Sequence, residues 1–132
     1  MASRHRTSRP RPSRRDVKIE NLRVVREHDD MASEPELSGD PEYRREDEER
    51  IEAWRRDEWW YVGVYVEVDL VVAGTIQTIR TPGLWGIESD SDDAYFKEVT
   101  EQEYEELLGI LETLGASKNQ VPPLAEAHEI DR

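Results

Sequence analysis

Apolar and polar side chains alternate most regularly between Trp59 and Val72. Every even-numbered position from Trp60 onward is apolar, whereas the odd-numbered positions include Glu67 and Asp69. Alternation with period two, in a segment rich in β-branched and aromatic residues, is typical of a strand with one buried face. The pattern therefore predicts a long β-strand whose even-numbered side chains enter the core.

A second strand follows after a tight turn. Ala73-Gly74 fits a two-residue hairpin loop, and Thr75–Thr81 continues with β-forming residues. A loop of this length fixes the cross-strand register, with the pairs Val72 and Thr75, Val68 and Ile79, and Glu67 and Arg80. We expect the second pair to be apolar and buried, and the third to be an ion pair on the solvent face.

Helix-forming sequence lies on both sides of this hairpin. Asp40 is a suitable N-cap before a proline, and Pro41–Asp57 predicts a surface helix with a thin apolar stripe. Pro82-Gly83 ends the second strand, and we expect a loop over Gly83–Asp93.

The C-terminal half predicts two more helices. A cap within 89–91 begins a short helix that ends at Val99. The segment 100–103 has capping-box spacing and begins the next helix, for which Gly115 is the expected C-terminal stop. The apolar stripe of that helix recurs at spacings of three and four: Tyr104, Leu107, Leu108, Leu111 and Leu114.

These elements together predict an α+β fold, in which two or three helices cover a small antiparallel sheet built on the long hairpin. Residues 41–115 form the single domain. Residues 1–40 are expected to be a disordered Arg-rich arm and linker, with a short third strand over 17–25 as the alternative. Residues 116–132 are polar and contain prolines, which predicts a flexible tail.

Charge is distributed very unevenly along the chain. The net charge is −13, yet Met1–Arg15 holds six arginines and no acid, so the remaining residues carry −19. An acidic body repels nucleic acid and attracts basic surfaces, although acidity also simply favours solubility. An Arg-rich arm, by contrast, binds nucleic acid without sequence specificity. Met31 leaves open a translation start that would omit this arm.

The sequence contains no recognisable catalytic or metal-binding pattern. Cysteine is absent, which excludes disulfides and thiolate metal sites. Asp90, Asp92 and Glu101 match ligand positions of an EF-hand loop, but Ala94 and Tyr95 occupy positions that need a ligand and a glycine. The histidines lie in segments expected to be peripheral: His5, His28 and His128. We therefore predict no catalytic residue, no metal and no cofactor.

Nothing in the sequence predicts a membrane protein. No apolar run is long enough to cross a bilayer, and no apolar segment follows the N-terminal arginines. We expect a cytoplasmic protein without a membrane partner.

Two surfaces are candidates for binding a partner. The first is an acidic surface with a tryptophan as its anchor: Trp85, Glu88, Asp90, Asp92, Asp93, Glu101, Glu105 and Glu106. The second is an aromatic patch on the odd-numbered face of the long strand: Trp59, Tyr61 and Tyr65. The alternative for the patch is that the first helix packs over it. Trp85 also has two interpretations, since it either fixes its loop to the core or projects from it.

Three segments of the chain carry a family resemblance. They are Trp59-Trp60-Tyr61-Val62-Gly63, then Gly83-Leu84-Trp85-Gly86-Ile87-Glu88-Ser89-Asp90-Ser91, and the helix end Leu107–Gly115. In these segments the chain resembles a group of small uncharacterised phage and prophage proteins. The resemblance covers about 59–115 and implies a phage or mobile-element origin, but no activity comes with it.

These observations predict a non-enzymatic protein that binds a host macromolecule. The leading hypothesis is an inhibitor of the anti-CRISPR or anti-restriction type, whose carboxylates bind a basic surface of a host defence nuclease or effector. The alternative is a nucleic-acid-associated accessory or assembly protein that acts through its Arg-rich arm. A third hypothesis is a homo-oligomer that assembles through the aromatic strand face.

Overall fold

Five strands and two α-helices make up residues 17–132, the part of the chain that the computed structural model describes. The strands are β1 (Val17–His28), β2 (Tyr61–Val72), β3 (Thr75–Arg80), β4 (Leu84–Glu88) and β5 (His128–Asp131). The helices are α1 (Arg44–Arg55) and α2 (Asp93–Thr113), with 3-10 turns at Pro41–Tyr43, Lys118–Gln120 and Leu124–Glu126. The predicted disorder of the Arg-rich arm lies outside the described residues.

β2 is the strand on which the sheet is built. β1 pairs with it in antiparallel fashion along one edge, while β4 and β3 pair with its first and second halves along the other. β5 pairs in parallel with β1, which gives the order β3-β2-β1-β5. The α+β fold class is therefore confirmed, and the predicted antiparallel sheet is enlarged to five strands of mixed direction.

The β2–β3 hairpin has the predicted register, with all three expected pairs opposite each other. The turn residues Ala73 and Gly74 have φ angles of 50° and 81°, which suits the tight turns that match strand twist. The predicted ion pair between Glu67 and Arg80 is nevertheless wrong. The Arg80 guanidinium lies 4.5 Å from the ring centroid of Tyr65, and Glu67 binds other arginines.

β1 corrects the prediction that residues 1–40 are an arm and linker, and it bears out the alternative of a strand over 17–25, which extends to His28. Ile19 and Leu22 are both buried against α2, a spacing that strict alternation would place on opposite faces. A bulge at Asn21, with φ 58°, shifts the register and turns both side chains to the same face. Because of the bulge, the buried residues of this strand do not recur with period two. A chain that began at Met31 would lack this central strand.

Residues 116–132 correct the prediction of a flexible tail. The segment returns along α2, where the Tyr104 hydroxyl donates to the Pro122 carbonyl at 2.7 Å and Val121 is buried. It then adds β5 beside β1. A four-residue parallel strand, paired with a strand about a hundred residues away, leaves no local signal in the sequence.

The segment 83–114 also differs from its prediction. The expected loop contains β4, and one continuous helix replaces the two expected ones. The cap is Asp92, whose carboxylate accepts from the Tyr95 N–H at 2.8 Å. The capping-box sequence at 100–103 lies inside this helix, because Phe96 and Val99 before it and the leucines after it pack on the same sheet face. Gly115 follows the helix with φ 96°, as predicted for its stop.

The core lies between α2 and the even-numbered face of β2. One cluster joins Val66 and Val68 to the leucines in the second half of α2, and another joins Val62 and Val64 to Phe96 and the first half. Two features differ from the predicted alternation: Trp60, which precedes β2, is 42% exposed, and the odd-numbered residues of 62–68 are buried as well, so both faces of the strand are covered there.

An ionic network covers the odd-numbered face of β2. Glu67 is 3% exposed, and its carboxylate accepts hydrogen bonds from Arg23 of β1 and from Arg132, which follows β5. Arg23 also donates two hydrogen bonds to Asp69, at 2.8 and 3.1 Å. The Tyr65 hydroxyl donates to a neighbouring carboxylate at 3.0 Å and accepts from Arg132 at 2.9 Å. The network thereby joins β1, β2 and β5.

We predict that acid destabilises the protein through this network. Hydrogen bonds from Arg23 lower the pKa of Asp69 from 3.8 to about 2, and for Glu67 the arginines outweigh burial and also lower the pKa. The unfolded chain therefore binds protons first, and the free energy of unfolding falls as the pH drops from about 4.5 towards about 2. Urea denaturation across this range measures the slope. Asp69→Asn should flatten it and Glu105→Gln should not; an unchanged slope in Asp69→Asn would contradict the assignment.

One buried carboxylate opposes folding instead. Glu103 lies on α2 at a buried position between the two core clusters, and its Oε1 has no hydrogen-bond partner among the described residues. An unsatisfied buried polar group costs about 1–3 kcal/mol. We predict that Glu103→Met raises the free energy of unfolding by about 1–2 kcal/mol. Glu105→Met, at an exposed position of α2, should change it by less than about 0.5 kcal/mol. Denaturant melts decide, and a loss of stability in Glu103→Met would refute the prediction.

Candidate functional site

The residues of the predicted acidic surface lie on two parts of the fold, β4 with its following turn and α2. Trp85 and Glu88 lie in β4, Asp90 in the turn after it and Asp92 at the cap of α2. The other predicted acids are exposed positions of α2: Asp93, Glu101, Glu105 and Glu106. The two groups have different electrostatic environments.

The acids near β4 are engaged inside the protein. Arg50 of α1 donates two hydrogen bonds to Asp90, at 2.6 and 2.7 Å, and its guanidinium lies 3.3 Å from Glu88. The hydrogen bond from Arg50 lowers the pKa of Asp90. Asp92 is occupied as the helix cap. These contacts join α1 to β4 and cap α2, while the side chains of Glu88 and Asp90 remain about half exposed.

Trp85 fixes β4 to the sheet. Its ring stacks on Tyr65 with centroids 6.0 Å apart and lies against Gly63, where any side chain would overlap the indole. Its indole N–H donates to the Pro82 carbonyl at 2.8 Å. The residue is still 37% exposed, so part of it reaches solvent. The contacts favour the interpretation in which this tryptophan secures its own segment.

The predicted aromatic patch is wrong as an exposed surface. Trp59 is 1% exposed and Tyr65 is fully buried, while Tyr61 is half-buried. The Trp59 indole donates to the Arg50 carbonyl at 3.0 Å, and the Arg50 guanidinium lies 3.8 Å from its ring centroid. The alternative, that the first helix packs over this face, is therefore confirmed for Trp59. Tyr65 is covered by other residues, Trp85 and Arg80.

The acids of α1 are largely paired with its own arginines. Asp40 caps the preceding turn, as predicted, by accepting from the Glu42 N–H at 3.0 Å. Ion pairs one turn apart then join neighbouring side chains along the helix: Arg44–Glu48 at 3.2 Å, Arg45–Glu49 at 3.3 Å and Arg55–Glu52 at 2.9 Å. The surface of α1 is charged but close to electrically balanced.

The surface of α2 is not balanced. The helix carries seven acids and one lysine, and within residues 17–132 none of these acids forms an ion pair. Four exposed glutamates are spaced at three, four and seven residues, which places them along one solvent-facing line. We call this line the acidic stripe: Glu98, Glu101, Glu105 and Glu112. Two of its members were not predicted from the sequence, although their helical spacing to Glu101 and Glu105 was available as a signal.

A cleft of about 790 Å³ lies beside the first half of α2. It is bounded by β1, β5 and the turn at 124–126. Its apolar lining consists of Val24, Val64, Phe96, Leu124, Ala125, Ala127 and Ile130. Two basic and four acidic side chains also line it: Arg26, Lys97, Asp93, Glu101, Glu129 and Asp131. The cleft thus combines apolar surface with charged side chains, among which carboxylates outnumber cations.

Arg26, one of the two cations of the cleft, contacts an aromatic ring and not a carboxylate of the described residues. Its guanidinium lies 3.6 Å from the ring centroid of Phe96. It forms no ion pair with any residue of 17–132, although carboxylates line the same cleft. The four cleft carboxylates likewise have no cationic partner in this part of the chain.

The described residues contain no group of three or more histidine, aspartate or glutamate side chains that could hold a metal ion. The acids considered for a calcium loop are consequently not brought together as ligands. His28 contacts Asp30 at 2.6 Å at the end of β1, and His128 begins β5. Among residues 17–132, no helix has the length and apolarity to cross a bilayer. His5 lies outside the described residues.

No protein-family model, curated protein or solved structure matches the chain.

Proposed function

We propose that this protein is a non-enzymatic binding protein whose acidic stripe engages a basic surface of a macromolecular partner. The observation that carries the proposal is the contrast between the two helices. α1 pairs its carboxylates with arginines, whereas α2 keeps its exposed carboxylates without an ion pair among the described residues.

The stripe has the length and regularity of an extended contact surface. It covers fifteen residues, from Glu98 to Glu112, and therefore spans roughly 20 Å at a rise of 1.5 Å per residue. Like charges on one helix face repel each other and destabilise the helix slightly. A cationic partner would relieve this repulsion, and the uncompensated field would also accelerate its association.

The basic surface that best complements the stripe is one that otherwise holds nucleic acid. Its carboxylates lie roughly 4.5, 6 and 10.5 Å apart along the helix axis, so they form a line of negative charges, as the phosphates of one DNA strand do at a closer spacing of about 3.4 Å. Occupation of such a groove would make the protein an inhibitor of a nucleic-acid-binding effector, and a host defence nuclease is the specific form that the sequence suggests.

The contact residues of this proposal differ from those predicted. Glu88, Asp90 and Asp92 are excluded because they stabilise the protein internally. Glu101 and Glu105 are retained and joined by Glu98 and Glu112. Glu106 is exposed but is displaced around the helix from the stripe, and Asp93 belongs to the cleft.

Neutralising the stripe should weaken binding to a polycation. We predict that Glu98→Gln/Glu105→Gln/Glu112→Gln lowers the affinity for a fluorescent poly-arginine peptide about tenfold at low salt, because each exposed charge contributes about 0.5 kcal/mol. Fluorescence anisotropy measures the affinity, and the difference should shrink as salt is added.

The matched control removes the same charge from α1. Glu48→Gln/Glu49→Gln/Glu52→Gln releases arginines that were paired, so its affinity should change less than about threefold. Equal losses in the two triple variants would show that net charge alone determines binding, and the proposed role of the stripe would be wrong.

A further inference from the structure

β5 leaves a free edge at one side of the sheet. The Arg132 N–H and C=O both bond to β1, at 2.9 Å to the Arg26 carbonyl and 3.0 Å from the His28 N–H. Backbone groups alternate in direction along a strand, so those of Glu129 and Asp131 point away from β1. No other described strand pairs with β5. Such an edge is a ready template for a further strand.

The side chains of this edge face the cleft. Glu129 is the register partner of Val24 and Asp131 that of Arg26, and both partners line the cleft on the side of the sheet that carries α2. Residues in register share a face, so a strand added to β5 would direct every second side chain into the same cleft.

The chemistry of the cleft defines what those side chains should be. Its lining combines apolar surface with charged side chains, among which carboxylates outnumber cations by four to two and lack ion pairs among residues 17–132. Lysine and arginine side chains fit both features, since their aliphatic stems lie on apolar surface and their charged heads reach carboxylates. Apolar side chains of the added strand, placed between the basic ones, would contact the apolar lining of the cleft.

We propose that β5 receives an extended segment of a partner protein by strand addition, with basic and apolar side chains alternating at the positions that face the cleft. Main-chain hydrogen bonds to Glu129 and Asp131 would provide affinity, and the cleft would provide selectivity. This inference rests on the proposed function in one respect, that the partner is a basic macromolecule, and it makes that partner a protein.

The test uses the full chain and a synthetic octapeptide, Lys-Thr-Val-Thr-Lys-Thr-Val-Thr, whose alternate positions carry lysine and valine. Two further peptides carry N-methyl groups, one on the threonines and one on the lysines and valines. In an added strand only every second peptide N–H group faces the edge of β5. One of the two methylated peptides should therefore lose affinity by at least about tenfold, and the other should keep it. NMR should show shifts at 128–132 and 93–101, and slower amide exchange at Glu129 and Asp131.

A second experiment reverses the charges at the edge of β5. Glu129→Lys/Asp131→Lys should weaken the octapeptide more than about tenfold, whereas Glu98→Gln/Glu105→Gln/Glu112→Gln should change it less than about threefold. The affinity for poly-arginine should instead fall more in the variant of the acidic stripe than in the variant of the edge. The two proposals can therefore fail separately, since each has its own variant and its own probe.

Several results would overturn strand addition. If the octapeptide does not bind, or if both methylated peptides bind equally, strand addition is wrong. The acids of the edge would then serve only to prevent edge-to-edge association of sheets. Shifts confined to the acidic stripe would reduce the interaction to general charge attraction. Shifts at 128–132 that appear when the protein alone is concentrated, and that the octapeptide leaves unchanged, would assign the edge to a second copy.

Discussion

The buried carboxylate of Glu67 is the interaction on which the arrangement of the sheet depends. It lies in the middle of β2 and is neutralised from two sides, by Arg23 of the neighbouring strand and by Arg132 beyond the last strand. A buried charge without such partners would cost several kcal/mol, so both arginines must be in place when the sheet forms. Because Arg132 directly follows β5, the ion pair also fixes a strand of only four residues against β1. That strand is one wall of the cleft and supplies its free edge.

The same allocation of arginines explains the charge of α2. Arg23 and Arg132 are engaged by the sheet, Arg50 by the acids near β4, and the remaining arginines of α1 mainly by that helix and its flanks. Arg26 and Arg80 lie on aromatic rings. No described arginine forms an ion pair with α2, whose exposed carboxylates face solvent. The acidic surface is consequently a result of where the cations are placed, and it is more localised than the net charge of the chain suggests.

The sequence predicts those parts of this structure that depend on neighbours in the chain. The alternation of β2, the Ala73-Gly74 turn and the cross-strand register follow from local periodicity. β1 was predicted only as an alternative, because its bulge breaks the alternation, and β5 was not predicted, because it is short and its partner is distant. The candidate site divides similarly. Glu101 and Glu105 belong to the surface expected from the sequence. Glu88 and Asp90 were expected there too, but they contact an arginine forty residues from Asp90, and such a tertiary contact cannot be predicted from local sequence. Burial of Trp59 and Tyr65 likewise depends on residues elsewhere in the chain.

Although α1 and α2 are both rich in acids, we expect them to have very different surface potentials. The potentials can be measured without any partner, from the ratio of NMR relaxation enhancements that a cationic and an anionic paramagnetic cosolute cause at each surface proton. We expect a clearly more negative potential at protons of 98–112 than at protons of 44–55, with the difference greatest along the acidic stripe. Equal potentials on the two helices would refute this expectation, because the pairing of carboxylates on α1 would then leave no electrostatic difference from α2.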